Sequence, residues 1–156
     1  MANDIAAQHP TSLTIRRTYR ANPEKVWRAW TEPEALKRWM APNPAFTTPV
    51  AEVDLRVGGS YRLLMISPDG EDHEVSGVYR DVEPGKKLVY TWAWKKTPER
   101  ESVITLELRA AGEGTELTLI HEKFHDTEER DHHHQGWEAC LTQLLGYVDS
   151  AAAAIR

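Results

Sequence analysis

Between Thr47 and Phe124 the chain alternates apolar and polar residues, and turn signals break the alternation at short intervals. Gly58-Gly59 separates Val50–Val57 from Ser60–Ile66, and Pro68-Asp69-Gly70 separates that stretch from Glu74–Val82. Pro84-Gly85 precedes Leu88–Trp94, Thr97-Pro98 precedes Val103–Leu108, and Gly112-Glu113-Gly114 precedes Glu116–Phe124. Period two marks strands with one buried face. Connections this short join antiparallel neighbours, because a parallel crossover needs about a dozen residues or more. Six strands in series therefore read as an antiparallel meander.

The flanking segments add one strand and three helices. Leu13 to Arg20 reads as a strand with Leu13, Ile15, Arg17 and Tyr19 on one side. Asn22-Pro23 then opens a short helix: the Asn side chain accepts from orphan N–H groups, and Pro has no N–H to leave unpaired. Val26, Trp27 and Trp30 form its apolar stripe. Thr31-Glu32-Pro33-Glu34 has the spacing of a capping box and starts a second helix through Leu36, Trp39 and Met40, which Pro42 and Pro44 stop. Asp126-Thr127-Glu128-Glu129 has the same spacing and opens the last element. There Trp137, Cys140, Leu141, Leu144, Leu145, Val148, Ala152 and Ile155 recur at three- and four-residue steps. The pattern predicts a long amphipathic helix of roughly 25 residues, about 38 Å. Gly136 and Gly146 inside it each cost about 1 kcal/mol against alanine. Each marks either simple tolerance or the close approach of a strand or ligand.

The expected fold is α+β, in the order β-α-α-β6-α, with a seven-stranded sheet curled around the last helix. One helix cannot cover so wide a flat sheet, whereas a strongly twisted sheet wraps around it. Leu88, Tyr90, Trp92 and Trp94 share one parity, as do Leu117, Leu119 and His121, and Ile104, Leu106 and Leu108. These side chains point inward, where they fill or line a cavity. Residues 1–11 read as a flexible lead and 12–156 as one domain.

Composition narrows the function. The net charge of −5 is spread over mixed acids and bases, so neither nucleic acid nor an anionic membrane is an expected partner. No apolar run reaches the roughly 18 residues of a membrane span, and Met1–Pro10 lack the features of a signal peptide. The one cysteine, Cys140, forms no internal disulfide, which suits a reducing, cytoplasmic setting. Six tryptophans stand against two phenylalanines, so large amphipathic rings make core or pocket wall.

Several segments resemble the START-like (SRPBCC) helix-grip superfamily, and most closely its branch related to the C-terminal domain of the activator of the 90-kDa heat-shock chaperone's ATPase. They are Asn22-Pro23-Glu24-Lys25-Val26-Trp27-Arg28-Ala29-Trp30-Thr31, Arg38-Trp39-Met40 and Asp54-Leu55-Arg56-Val57-Gly58-Gly59-Ser60-Tyr61-Arg62. Gly77-Val78-Tyr79, Pro84-Gly85-Lys86-Lys87-Leu88, Gly114-Thr115-Glu116-Leu117-Thr118-Leu119 and Gly136-Trp137 complete the set. The resemblance spans Leu13 to Val148 and implies a helix-grip fold. The branch shares no catalytic signature, so it assigns no catalytic residue here.

The function expected is binding of a small hydrophobic or aromatic molecule between sheet and C-terminal helix, by a monomer or homodimer, with no cofactor. The cavity residues expected are Trp39, Tyr61, Leu63, Met65, Tyr90, Trp92, Leu106, Leu119, His121, His133, Trp137, Leu141 and Leu144. His121 is the sharpest candidate, since an inward imidazole can orient a polar group or move a proton. Two alternatives stand beside this reading. A cyclase-, dehydratase- or hydrolase-like enzyme needs convergent polar groups, such as His121 with Tyr61 or Glu122. A chaperone-associated interaction module needs an exposed apolar patch. His125, Glu129 and His132 or His133 have metal-compatible spacing, but the strongly polar stretch around them reads as a solvated helix start, and no metal is assigned. Asp54 and Arg56 read as an outward charged pair fixing the glycine hairpin, with Val53, Leu55 and Val57 inward. Cys140 reads as an inert core thiol.

Overall fold

A computed structural model describes residues 10–155, with side chains over 10–149. Residues 1–9 of the expected lead, and the side chains of Ala152 and Ile155, lie outside the described residues. Strand β1 (Ser12–Tyr19) is followed by helices α1 (Pro23–Thr31) and α2 (Pro33–Trp39). The meander comprises β2 (Thr47–Val53), β3 (Ser60–Ile66), β4 (Asp72–Glu83), β5 (Lys87–Trp94), β6 (Ser102–Ala111) and β7 (Gly114–Glu122). Helix α3 (Thr127–Ile155) closes the chain; at 29 residues it is about 44 Å long. The seven strands form one antiparallel sheet in the order β1-β7-β6-β5-β4-β3-β2, so β1 leaves the meander's sequence order and joins the edge beside β7. The expected α+β helix-grip architecture is the observed one.

Alternation carries the inward face as read. Leu88, Tyr90 and Trp92 of β5, Ile104, Leu106 and Leu108 of β6, and Leu117, Leu119 and His121 of β7 are all buried. They meet the stripe of Trp137, Cys140, Leu141, Leu144 and Val148 on α3 in one core. The Tyr19 hydroxyl donates to Leu141 O at 3.0 Å and ties β1 to the middle of α3. Burial drives that phenol well above its usual pKa, so it stays a neutral donor.

Two local readings change. The strand expected to run to Val57 ends at Val53, because the chain folds into a tight turn: Arg56 N donates to Asp54 O, and Gly59 N to Arg56 O. Off the pleat, period two no longer sorts side chains. Leu55 and Val57 are exposed rather than inward. The Asp54–Arg56 pair does form, with Arg56 Nε donating to both carboxylate oxygens at 3.0 and 3.1 Å. Gly59 is needed there, since a Cβ would stand 2.1 Å from Asp54 O. At the helix junction, Thr31 does not cap α2. It ends α1 with its Oγ donating to Trp27 O, and Glu32, which precedes α2, makes no side-chain cap bond. Pro33 removes one orphan N–H, which lowers the need for a cap.

Gly77 marks where β4 presses on β5. A Cβ there would lie 2.0 Å from Thr91 O, the same carbonyl that accepts the Tyr61 hydroxyl at 2.5 Å. Gly77→Ala is expected to cost about 2–3 kcal/mol as the strands are forced apart. Urea unfolding checks this, and an unchanged midpoint would show that the strands separate freely at this point.

Candidate functional site

Five tryptophans form a continuous ring system through the core. Trp30 lies 4.8 Å from Trp39 and stacks on Trp137 at 6.0 Å. Trp137 meets Trp92 at 5.2 Å, and Trp92 meets Trp94 edge-on at 5.5 Å. Tyr61, Tyr79 and Tyr90 make a second cluster, joined to the first where Trp30 Nε1 donates to the Tyr90 hydroxyl at 3.0 Å.

At one end the ring system does not close. Met40, Pro42, Met65, Trp92, Trp94, His132, His133, Gly136, Trp137 and Cys140 surround a half-open cleft of about 220 Å³ with an almost wholly apolar wall. A cavity of about 150 Å³ takes a benzene ring, so this one suits a single substituted ring. Sheet, helix and the turn after α2 all contribute, the last through Met40 and Pro42. Gly136 belongs to the wall, and a Cβ there would meet nothing within 4 Å. Gly146 likewise faces open space.

Four of the expected cavity residues, Met65, Trp92, His133 and Trp137, border this cleft. The structure places the others in the surrounding core. Trp39 gives its indole N–H to Ala29 O, and Tyr61 and Tyr90 sit in the tyrosine cluster. Leu63, Leu106, Leu119, Leu141 and Leu144 pack in the interior. The cleft also uses Met40, Pro42, Trp94, His132, Gly136 and Cys140. Trp94 shares the parity of Trp92, and Gly136 and Cys140 adjoin Trp137 at one residue and one turn; that much signal was present. Nothing in the spacing points to Pro42.

The two inner histidines are locked rather than poised. Trp137 Nε1 donates to His121 Nδ1 at 2.9 Å, so the neutral ring carries its proton on Nε2 and donates to Ser102 Oγ at 2.7 Å. Ser102 in turn donates to Trp92 O at 3.2 Å. His121 has no exposed surface and stands outside the cleft lining, behind Trp137. Burial, and secondarily the neighbouring His133, holds its pKa well below the usual histidine value. His133 donates from Nδ1 to Glu129 O at 2.8 Å and accepts Trp94 Nε1–H at 2.9 Å on Nε2. Its pKa is also lowered, by burial first. Cys140 donates to Ala41 O at 3.1 Å, and burial pushes its thiol up to about 12, which leaves it unreactive at neutral pH.

Glu129 caps α3 in a shifted form of the expected box. Asp126 accepts Glu129 N–H at 2.8 Å, while the Glu129 carboxylate accepts from His125 N at 3.1 Å. Among the described residues no group of three or more His, Cys, Asp or Glu is arranged to hold a metal ion.

A curved sheet gripping one helix, with an aromatic cleft left at the end of the grip, defines a helix-grip domain of the START-like kind. Residues 20–149 match the family described as Activator of Hsp90 ATPase homolog 1-like protein, and the chain belongs to that family. It is 28% identical over 152 residues to the human activator of 90 kDa heat shock protein ATPase homolog 1, a match covering 94% of this chain and 40% of that one. The chain thus spans about two-fifths of the curated relatives it matches. Among solved structures, a protein of Chromobacterium violaceum superposes with a TM-score of 0.81 at 29% identity, over 88% of this chain and 96% of that one. One from Nitrosomonas europaea gives 0.81 at 28% identity, over 94% and 99%.

Proposed function

We propose that this chain binds a small apolar or aromatic molecule in the cleft between β3, β5 and α3. The observation that carries the reading is an apolar, ring-walled cleft of about 220 Å³ at the edge of the core. Such sites take ligands by excluding water and orient them with few polar groups. An enzyme using His121 with Tyr61 or Glu122 fits poorly: His121 is held behind Trp137, and the Tyr61 hydroxyl is committed to Thr91 O. Native mass spectrometry of the protein purified from its own host tests the proposal. The expected result is a retained small molecule that is missing from Gly136→Leu, whose side chain grows into the cleft. A mass equal to the bare chain in both, with no small aromatic binding on titration, would end it.

A second reading rests on the surface. Leu55, Val57 and Val78 are 38%, 62% and 41% exposed around the glycine hairpin, and the human relative's name points to a chaperone ATPase. Under this reading the hairpin patch contacts that chaperone. A chain that neither binds it nor changes its ATPase rate would remove the reading.

A further inference from the structure

The polar hydrogens around the cleft are almost all committed. Trp94 and Trp137 give theirs to histidines, and Cys140 gives its own to Ala41 O. Trp92 is the buried exception, His132 being exposed. Its residue is 4% exposed and forms part of the cleft wall, yet its indole Nε1 is sealed from solvent and has no acceptor among the described residues. A buried N–H left unpaired costs about 1–3 kcal/mol, and native interiors rarely leave one so. Phenylalanine would fill a similar space without that cost. The indole therefore points to an acceptor brought in from outside.

The acceptors nearby narrow the class further. Met40 O already takes the Thr48 hydroxyl, Glu129 O takes His133, and Ala41 O takes both Gln143 and Cys140. A ligand hydroxyl would have to share one of these carbonyls with its present donor or reach the exposed His132, whereas a carbonyl needs only the Trp92 N–H. The wall carries no carboxylate, ammonium or guanidinium, which disfavours a charged ligand. The volume admits one ring.

Building on the reading of the cleft as a ligand site, we propose that its occupant is a neutral one-ring carbonyl compound whose oxygen accepts the Trp92 indole N–H. Entry to that N–H requires a wall side chain to give way. Met40 and Met65, unbranched and flexible, are the members that move at least cost.

Acetophenone and cumene have nearly the same shape, and only acetophenone carries an acceptor. Titrations by calorimetry into the wild-type protein and Trp92→Phe separate the two contributions. The expected result is that Trp92→Phe weakens acetophenone about five- to tenfold and leaves cumene within about twofold. Equal weakening of both, or of neither, would overturn the carbonyl assignment while leaving the cleft as a ligand site. If neither probe binds the wild-type protein, the cleft reading itself fails, and this proposal with it. Should Trp92→Phe not fold, indole ¹H–¹⁵N spectra of the wild-type protein decide. Acetophenone should move the Trp92 resonance downfield and cumene should not; the same response to both would equally overturn the assignment.

Discussion

Trp137→Ala is expected to destabilise the protein by about 4–5 kcal/mol, at the upper end for loss of a buried aromatic. The indole is 3% exposed and touches Trp30, Trp92 and His121, so its removal opens a cavity among groups that cannot follow it. A second loss adds to the first. His121 Nδ1 would keep its lone pair in a dry interior with no donor, and the link through Ser102 to Trp92 O would lose its anchor. Trp137→Phe separates the two, because it keeps most of the ring and drops only the N–H; about 1–2 kcal/mol is expected. Urea melts of the three proteins check this. A Trp137→Ala midpoint equal to wild type would show that the indole only lines the cleft.

Stability should also fall as the pH drops from about 6.5. The sign follows from His121, which is neutral in the fold with its pKa well below 6.5 but titrates near 6.5 once unfolded. The unfolded chain binds the proton first. The histidine's contribution is therefore full above about pH 6.5 and is lost as the pH falls toward the folded-state value. Below the unfolded value the slope approaches about 1.4 kcal/mol per pH unit for as long as the fold keeps the ring neutral. His133, partly exposed and shifted in the same direction, adds a smaller amount. His121→Gln keeps a donor and an acceptor but cannot titrate in this range. Melts across pH 7 to 5 should show its dependence flattened by the His121 share. Equal slopes in both proteins would mean that the imidazole is not held neutral.

The fold was legible because turns and alternation agree. Gly58-Gly59, Pro68-Asp69-Gly70 and Pro84-Gly85 each fall between observed strands, and the parity of Leu88, Tyr90 and Trp92 faces the core. Alternation misled where the backbone left the sheet, at Asp54–Val57, and it blurs at Tyr90–Trp92 and Ser102–Ile104, where three residues in a row are buried. The cleft was harder to read. Parity tells which face a side chain occupies, so Trp92 and Leu106 look alike in sequence. Whether one borders a void and the other a neighbour depends on how helix, sheet and the turn at Pro42 meet, which no local pattern encodes. His121 shows the same limit: its inward direction was readable, but the Trp137 N–H and Ser102 hydroxyl that occupy both its nitrogens come from elements 16 and 19 residues away.

Strand β1 finds its partner only at the far end of the meander, Ser12 lying opposite Glu122 and Tyr19 opposite Thr115. On the ribosome, at about 5–20 residues per second, β1 waits roughly 5–20 s before β7 exists. The helix that Tyr19 anchors comes later still. Assembly of this domain therefore waits on β7 and α3, and a chain stalled before them would leave β1 with both hydrogen-bonding edges open to whatever strand it met first.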